Sequence, residues 1–466
     1  MRRIVTFLFP FLLVASLSGS ASSRRRSPIE TFPAKDRLVI VISLDGFPAY
    51  TFADPTLPAP TLRRLASEGV MAEGMRISNP AVTWPNHTSM VTGVQPEKHG
   101  VLYNGMLVRG GPRVAPKIEP WRDKREMVRV PTVYDLAYQA GLTTAQVDWV
   151  AIQNPGTINW EFAERPRADG AVEKEMIAEG LLTENEAREF SKGNITWRDQ
   201  VWTNAAIHII KKHRPNLLLF HLLNLDSVHH RYGPRTVAGY TAQAYIDTRV
   251  GQLFDALKAA NLLDRTTVLV VSDHGFKTAK RSIKANAVLR RMGLLQAEGS
   301  KVSGDAYVIS EGGTAMAYIN APENRKRLAP QMKEAFLATE GVARVMEPSE
   351  FHSLGMPTPE ENDQMADLIL VAKDGYSFGN PVDGDAVVDI TGGMSPGSHG
   401  YVSSDPEMNA IFIAWGYGIQ GGRRLGMIDN VDVAPTIAAL LGLRMEGITG
   451  KPLVTILKLS DTVNTR

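Results

Sequence analysis

The sequence predicts an α/β protein: a mostly parallel sheet flanked by helices, with a small α+β subdomain inserted late in the chain. Three observations lead there. Residues 37–44, 216–225 and 266–272 are continuous apolar runs of strand length, the pattern of strands covered on both faces. Helical stretches that stop at glycine lie between them, as βα units require. Residues 300–390 break into short apolar runs separated by Gly, Pro and Asn, which reads as a separate α+β unit. The chain has 466 residues, 44% hydrophobic and 21% charged, enough for a large core.

The first 21 residues read as a secretory signal. Arg2 and Arg3 precede an apolar run over 4–17, followed by Ser18, Gly19, Ser20 and Ala21. The run is short for a membrane span and contains Pro10, so no stable span is expected after cleavage. Residues 22–35 are a polar leader with Arg24, Arg25 and Arg26. There is no cysteine, which excludes a lipid-modified thiol and any disulfide. The reading is a bacterial exported protein, periplasmic or secreted. The net charge of +2 vanishes once Arg2 and Arg3 leave with the signal, so no long nucleic acid is expected as partner. Oligomeric state is not set by the sequence.

From there the elements follow in order. The strand over 37–44 ends at Asp45-Gly46, and a helix over 62–68 closes at Gly69. Next comes Asn79-Pro80-Ala81-Val82-Thr83-Trp84-Pro85-Asn86-His87. Proline suits the first helical position. Thr83 then lies at a helix N-terminus, among free N–H groups that attract an anion, and the helix closes at Gly93. A turn spans 99–104. A helix over 133–139 stops at Gly141, and a strand is expected over 142–150. Residues 151–200 are polar, with Trp160, Phe162 and Trp197, and are expected as a helical cap. A helix over 202–212 leads into the strand over 216–225. Asp226 follows that strand, with His230 four residues on. A long helix over 242–260 precedes the strand over 266–272, which ends at Asp273-His274-Gly275. Within 300–390, strands over 315–319, 343–346 and 367–372 surround a helix over 331–339. His399 follows in Gly397-Ser398-His399-Gly400-Tyr401, then a strand over 410–414 and a helix over 432–441. The domains predicted are a catalytic core over 36–299 and 391–460, carrying the cap, and the inserted subdomain over 300–390.

Asp45, Asp226 and the pair Asp273-His274 each follow an apolar strand. In an open parallel sheet the ligand crevice lies beyond the carboxyl ends of the strands, so three segments deliver acid or imidazole to one rim. One such Asp is an ordinary turn residue; three, two of them with a nearby His, form a pattern. Carboxylate and imidazole are normal zinc ligands. Two metals a few ångströms apart clamp the attacking and leaving oxygens of a phosphoryl displacement. On its own stretch, Thr83 reads as a helix N-cap; beside such a rim it becomes a candidate nucleophile. Of the other histidines, His208, His213, His221 and His352 have no motif context and are expected to be structural or at the surface. His229 has the wrong offset, and His87 and His99 are expected to hold turns.

Taken together these pieces resemble the nucleotide pyrophosphatase/phosphodiesterase (type I phosphodiesterase) family of the alkaline phosphatase superfamily. The matching segments are Ser43-Leu44-Asp45-Gly46, Asn79-Pro80 through His87 to Thr92-Gly93, and His99-Gly100 with Asn104. They continue with Asp226 through His230 to Gly233-Pro234, Ser272 to Gly275, Ser398 to Tyr401, and Asn430 to Thr436. The likeness spans 38–455 and is weakest over 150–200 and 300–390. It implies an alkaline-phosphatase-like fold and two zinc ions. Asp226, His230 and His399 would hold one; Asp45, Thr83, Asp273 and His274 would hold the other. Thr83 would be the nucleophile, passing through a phospho-threonine intermediate. Asn104 would donate to a non-bridging phosphoryl oxygen. The implied substrate is a small phosphodiester or nucleotide. Trp84 stands where the family more often has Phe, and could stack a nucleobase or simply pack. His229 stands where the family often has Gly.

Other readings are weaker. Sulfatases of the superfamily need a modified Cys or Ser in a Cys/Ser-x-Pro-x-Arg context, which is missing. Phosphomonoesterases of this fold offer an arginine to the phosphate, and none lies beside Thr83 in the sequence. A phospholipase C-like or phosphonate-ester hydrolase would use the same metal site. A non-catalytic metal-containing binding protein would need neither Thr83 nor Asn104.

Overall fold

The computed structural model describes residues 32–458 except Ser300 and Gly393. The signal call therefore lies outside the described residues, as does most of the leader.

Eight strands form the main sheet. They are β1 (Leu38–Leu44), β2 (Val70–Arg76), β3 (Thr144–Val147), β4 (Trp160–Phe162), β5 (Leu217–Leu222), β6 (Thr266–Val271), and two that return late in the chain, Phe412–Gly416 and Arg423–Asp429. From one edge the order is Arg423–Asp429, β2, Phe412–Gly416, β6, β1, β5, β3, β4. Every pairing is parallel except those of Phe412–Gly416, which runs antiparallel to both neighbours. The sheet is thus mostly parallel, as predicted. In β1 all seven residues are buried, and alternate ones feed opposite layers. Val39 and Val41 join one core and Leu38, Ile40, Ile42 and Leu44 the other.

Helices cover both faces. On one side lie α1 (Pro60–Glu68), α5 (Ile195–His213) and α7 (Val237–Ala259), through Leu62, Trp202, Ile246 and Leu253. On the other lie α2 (Thr83–Thr92), α3 (Val133–Gln139) and Val433–Leu440, through Met90, Val133 and Ile437. Two further helices, α4 (Ala171–Ala178) and α6 (Asn224–Tyr232), flank α5 in sequence. The helix α2 ends where Gly93 takes a left-handed φ of 71°, and its N–H closes on Ser89 O.

The segment 151–200 is more than a helical cap. Trp160–Phe162 pairs in parallel with β3 and supplies the last strand of the main sheet. Three residues with intervening polar positions give too weak a period to be read as a strand. Residues 306–372 build a separate antiparallel sheet in the order Ala306–Ser310, Thr314–Ile319, Leu368–Ala372, Val342–Met346. Helix α8 (Arg325–Leu337) buries Leu328, Met332 and Phe336 against it.

Candidate active site

Strands β6, β1 and β5 are neighbours at the middle of the sheet, in the register Val271–Ser43–His221. Asp45 follows β1 directly, and Asp273 follows β6 after Ser272. Asp226 departs from expectation. The strand stops at Leu222, and Asn224–Tyr232 is already helix, so Asp226 sits in the first turn of α6. Leu223 and Leu225 prolong the apolar run in sequence but lie at the start of the helix. His230 then lies one turn on, on the same face.

Two donor groups result: Asp45, Asp273 and His274, and Asp226, His230 and His399. In the first, His274 Nε2 lies 3.4 Å from Asp45 Oδ1 and 3.3 Å from Asp273 Oδ2. In the second, Asp226 Oδ1 lies 3.4 Å from His230 Nε2 and 3.8 Å from His399 Nε2. The groups adjoin, since the rings of His274 and His399 stack with centroids 3.8 Å apart.

These residues fit metal ions. Asp45 Oδ1, Asp226 Oδ1, Asp273 Oδ2 and His274 Nε2 are buried without a hydrogen-bond partner, a costly state for a polar atom. The histidines share one orientation. Nδ1 of His274 faces Gly275 O at 3.0 Å, that of His230 faces Gly397 O at 3.2 Å, and that of His399 faces Ala81 O at 2.9 Å. A carbonyl only accepts, so each Nδ1 carries the proton and each Nε2 lone pair turns to the carboxylates. That is how histidine is held for a metal. Burial pushes His274 down to about 3 and drives His399 down as well, keeping both neutral. Burial, with the charges of Asp273 and Asp226, pushes Asp45 well up. A cation relieves that repulsion.

Surrounding groups fix the acids. The Gly46 N–H donates to Asp273 Oδ1 at 3.1 Å. That requires a sharp turn, and Gly46 has φ 66° with Phe276 where a side chain would stand. His221 Nε2 lies 3.1 Å from Asp45 Oδ2, and its Nδ1 lies 3.3 Å from Asp148 Oδ2. Burial opposes charge on His221, but Asp148 and Asp45 outweigh it and raise its pKa. Sequence reasoning set His221 aside. Its signal was an imidazole inside an otherwise apolar strand. His87 meets Thr83 O through Nδ1 at 2.9 Å in the first turn of the helix that starts at Thr83, and it is buried beside the site, with its ring 4.5 Å from that of His221. His99 does hold its turn, accepting the Val101 N–H at 3.1 Å and pairing with Ser89 Oγ at 3.0 Å.

Thr83 is the first residue of α2, and Val82 is its N-cap. Pro85 is therefore the third helical residue, not the first. No bond is lost, because the first four N–H groups of a helix have no partner within it. Asn104 Oδ1 accepts the Trp84 N–H at 2.9 Å. Trp84 itself is 5% exposed, packed among Val101, Met127, Val128 and Val150. Its ring meets Trp121 edge-on at 6.3 Å; Trp121 is 38% exposed and carries the Arg165 guanidinium 4.0 Å above its ring. A pocket beside the second donor group is lined by Val82, Asn104, His230, Glu311 and His399, with no lysine or arginine among its lining residues. Burial pushes Glu311 up to about 8. Neither Trp121 nor Glu311 was found from sequence, since neither lies in a motif.

The family model for type I phosphodiesterase / nucleotide pyrophosphatase matches residues 39–402. The chain belongs to this family. Such phosphodiesterases hydrolyse phosphodiester and pyrophosphate bonds, and the chain is a hydrolase of that kind. Among its relatives is an uncharacterized pyrophosphatase/phosphodiesterase of Schizosaccharomyces pombe, 26% identical over 418 residues, covering 87% of this chain and 77% of that protein. Human ectonucleotide pyrophosphatase/phosphodiesterase family member 7 is 23% identical over 461 residues, covering 97% and 89%. The fold is that of human ectonucleotide pyrophosphatase/phosphodiesterase 5, with a TM-score of 0.69 at 18% identity, covering 91% of this chain and 100% of that one. The murine protein, as an inactive threonine-to-alanine variant in complex with AMP, gives a TM-score of 0.67 at 19% identity, covering 89% and 97%. This is the alkaline-phosphatase-like fold expected from the motifs. Among the described residues, no helix is long and apolar enough to cross a membrane.

Proposed function

We propose that this phosphodiesterase is exported and acts on small phosphodiesters or nucleotides at a two-zinc site, through a phospho-threonine intermediate on Thr83. The observation that carries the reading is the common orientation of His230, His274 and His399, each with Nε2 turned to a carboxylate oxygen and, at Asp45, Asp226 and Asp273, partnerless acceptor atoms. Asp226, His230 and His399 would hold one ion, and Asp45, Asp273 and His274, with the Thr83 hydroxyl, would hold the other. When bound, the metal pair supplies Lewis acidity to the attacking and leaving oxygens.

The chain does the rest. Thr83 is carried on the first residue of a helix, where backbone dipoles favour an anionic phosphate. Its hydroxyl gives up its proton to water and Oγ attacks phosphorus; the ester or anhydride oxygen leaves with its bonding pair. Water then attacks the phospho-threonine and restores the hydroxyl. Asn104 uses Oδ1 on the Trp84 N–H, which leaves its Nδ2 hydrogens for a phosphoryl oxygen. No lysine or arginine lines the pocket to meet the second charge of a monoester. The inactive threonine-to-alanine variant of the murine neighbour agrees with the role given to Thr83. The N-terminal pattern of residues 1–21 and the lack of cysteine support export.

An ester panel tests the reading. Zinc-loaded protein should hydrolyse bis(p-nitrophenyl) phosphate and a nucleotide p-nitrophenyl ester faster than p-nitrophenyl phosphate. A preference for the monoester would overturn it.

A further inference from the structure

A second cluster of donors shares no residue with the catalytic groups. It lies between α4 and α5: Glu175, His208 and His213 each offer one ligand atom, all within 4.8 Å of one another. Glu175 Oε2 is 2.9 Å from His208 Nε2 and 2.7 Å from His213 Nε2. From these contacts we infer that Glu175, His208 and His213 bind a further zinc ion, which clips α4 to α5.

Two features favour an ion over a simple hydrogen-bond cluster. His208 Nδ1 lies 3.0 Å from Glu179 Oε2, one turn beyond Glu175. A carboxylate behind the ring fixes the tautomer with Nε2 free to ligate, the usual second partner of a zinc histidine. His213 is oriented independently: Trp160 of β4 stacks on its ring at 4.5 Å and 19°.

Exposure suits a three-ligand site with a fourth position open to water. The His208 side chain is 3% exposed, that of His213 13% and that of Glu175 28%. Two nitrogens and one carboxylate oxygen, with no thiolate, are donors that zinc accepts. Donors on a tetrahedral zinc lie about 3.3 Å apart, so the two contacts of Glu175 Oε2 with His208 and His213 open by about half an ångström. Lys212 Nζ, 3.5 Å from Glu175 Oε2, must turn away; its stem is 42% exposed and already reaches Glu179 Oε1 at 3.3 Å.

The ion would secure the segment that adds β4 to the sheet, through the stack of Trp160 on His213. Its effect is on stability rather than turnover.

Crystals of the full chain grown with zinc, measured above and below the zinc edge, test this directly. An anomalous peak is expected between Glu175, His208 and His213, about 2.0–2.2 Å from the donor atoms. In solution, His213→Gln and Glu175→Gln should each hold one zinc fewer per chain than the parent, with turnover of bis(p-nitrophenyl) phosphate unchanged. No peak in the parent, or equal zinc content in parent and variants, overturns the inference. Peaks at Asp45 or Asp226 report on the catalytic reading separately, so either can fail alone.

Discussion

Asn104 Oδ1 accepts a hydrogen bond from the Trp84 N–H at 2.9 Å, one residue past Thr83. An N–H at that bond forces oxygen onto its side of the carboxamide, so the orientation of Asn104 is set by the helix that carries the nucleophile. Asn104→Ala should lower kcat by about 10²–10³, the usual cost of one oxyanion donor. Asn104→Asp should be at least as damaging. It still accepts from Trp84 but presents a charge, not a donor, to the phosphate. Steady-state kinetics on a diester decides; wild-type kcat in either variant would remove Asn104 from the mechanism.

Thr83→Ala should abolish turnover of bis(p-nitrophenyl) phosphate and keep the fold, since the side chain makes none of the helix's cap bonds. Thr83→Ser should retain part of the activity. Rapid-quench of bis(p-nitrophenyl) phosphate turnover should trap a p-nitrophenylphosphoryl group on Thr83 in the parent and none in the alanine variant.

Trp84 and Trp121 should separate stability from recognition. Trp84 is buried in an apolar cluster, and its replacement by alanine should cost about 3–5 kcal/mol in denaturant unfolding. Trp121 is half in solvent beside it. Trp121→Ala should leave stability nearly unchanged but lower kcat/KM for a nucleotide p-nitrophenyl ester by the equivalent of about 1–3 kcal/mol of stacking. Methyl p-nitrophenyl phosphate should be unaffected; an equal loss on both esters would rule out base stacking on Trp121.

Chelation should stop turnover and lower Tm, because the ion that relieves the repulsion among the buried Asp45, Asp226 and Asp273 is then gone. Zinc should restore both. A chelated protein with full activity would exclude the metal reading.

His99 sets a stability prediction with pH. Burial pushes it down to about 3, against about 6.5 in an unfolded chain. The folded state therefore holds it neutral. Its contribution is complete above about pH 6.5 and falls as pH drops towards 3, by about 1.4 kcal/mol per unit. His99→Asn should cost about 1–3 kcal/mol at pH 8, where Ser89 and the Val101 N–H lose their partner. The gap to the parent should close on acidification. Parallel curves of Tm against pH would contradict this.

Much of the fold was legible where local chemistry and tertiary role coincide. The strand run over 37–44, the stop at Gly93 and the helix over 133–139 all stand in the structure, because a continuous apolar run, a left-handed glycine and a Thr132 cap each act within a few residues. The strand at Trp160 was not legible. Three residues carry no period, and they become a strand only because β3 offers an open edge. The helical start at Asn224 was hidden for a related reason: leucines on both sides of the boundary are buried, one set by the sheet and one by the helix.

By itself, the sequence determined the types and spacing of the candidate donors, the glycine stops, the family and the threonine at a helix start. These follow from residue identity and near neighbours. Only the tertiary structure decided how the histidines are held. It put His221 behind Asp45, because β5 pairs with β1 in that register, and it turned Nδ1 of His230, His274 and His399 to backbone carbonyls contributed by distant or adjoining segments. It also buried Trp84 and left Trp121 exposed, and it brought Glu175 from α4 against His208 and His213 on α5. Such contacts join residues far apart in the chain, and their geometry depends on packing that no local window contains.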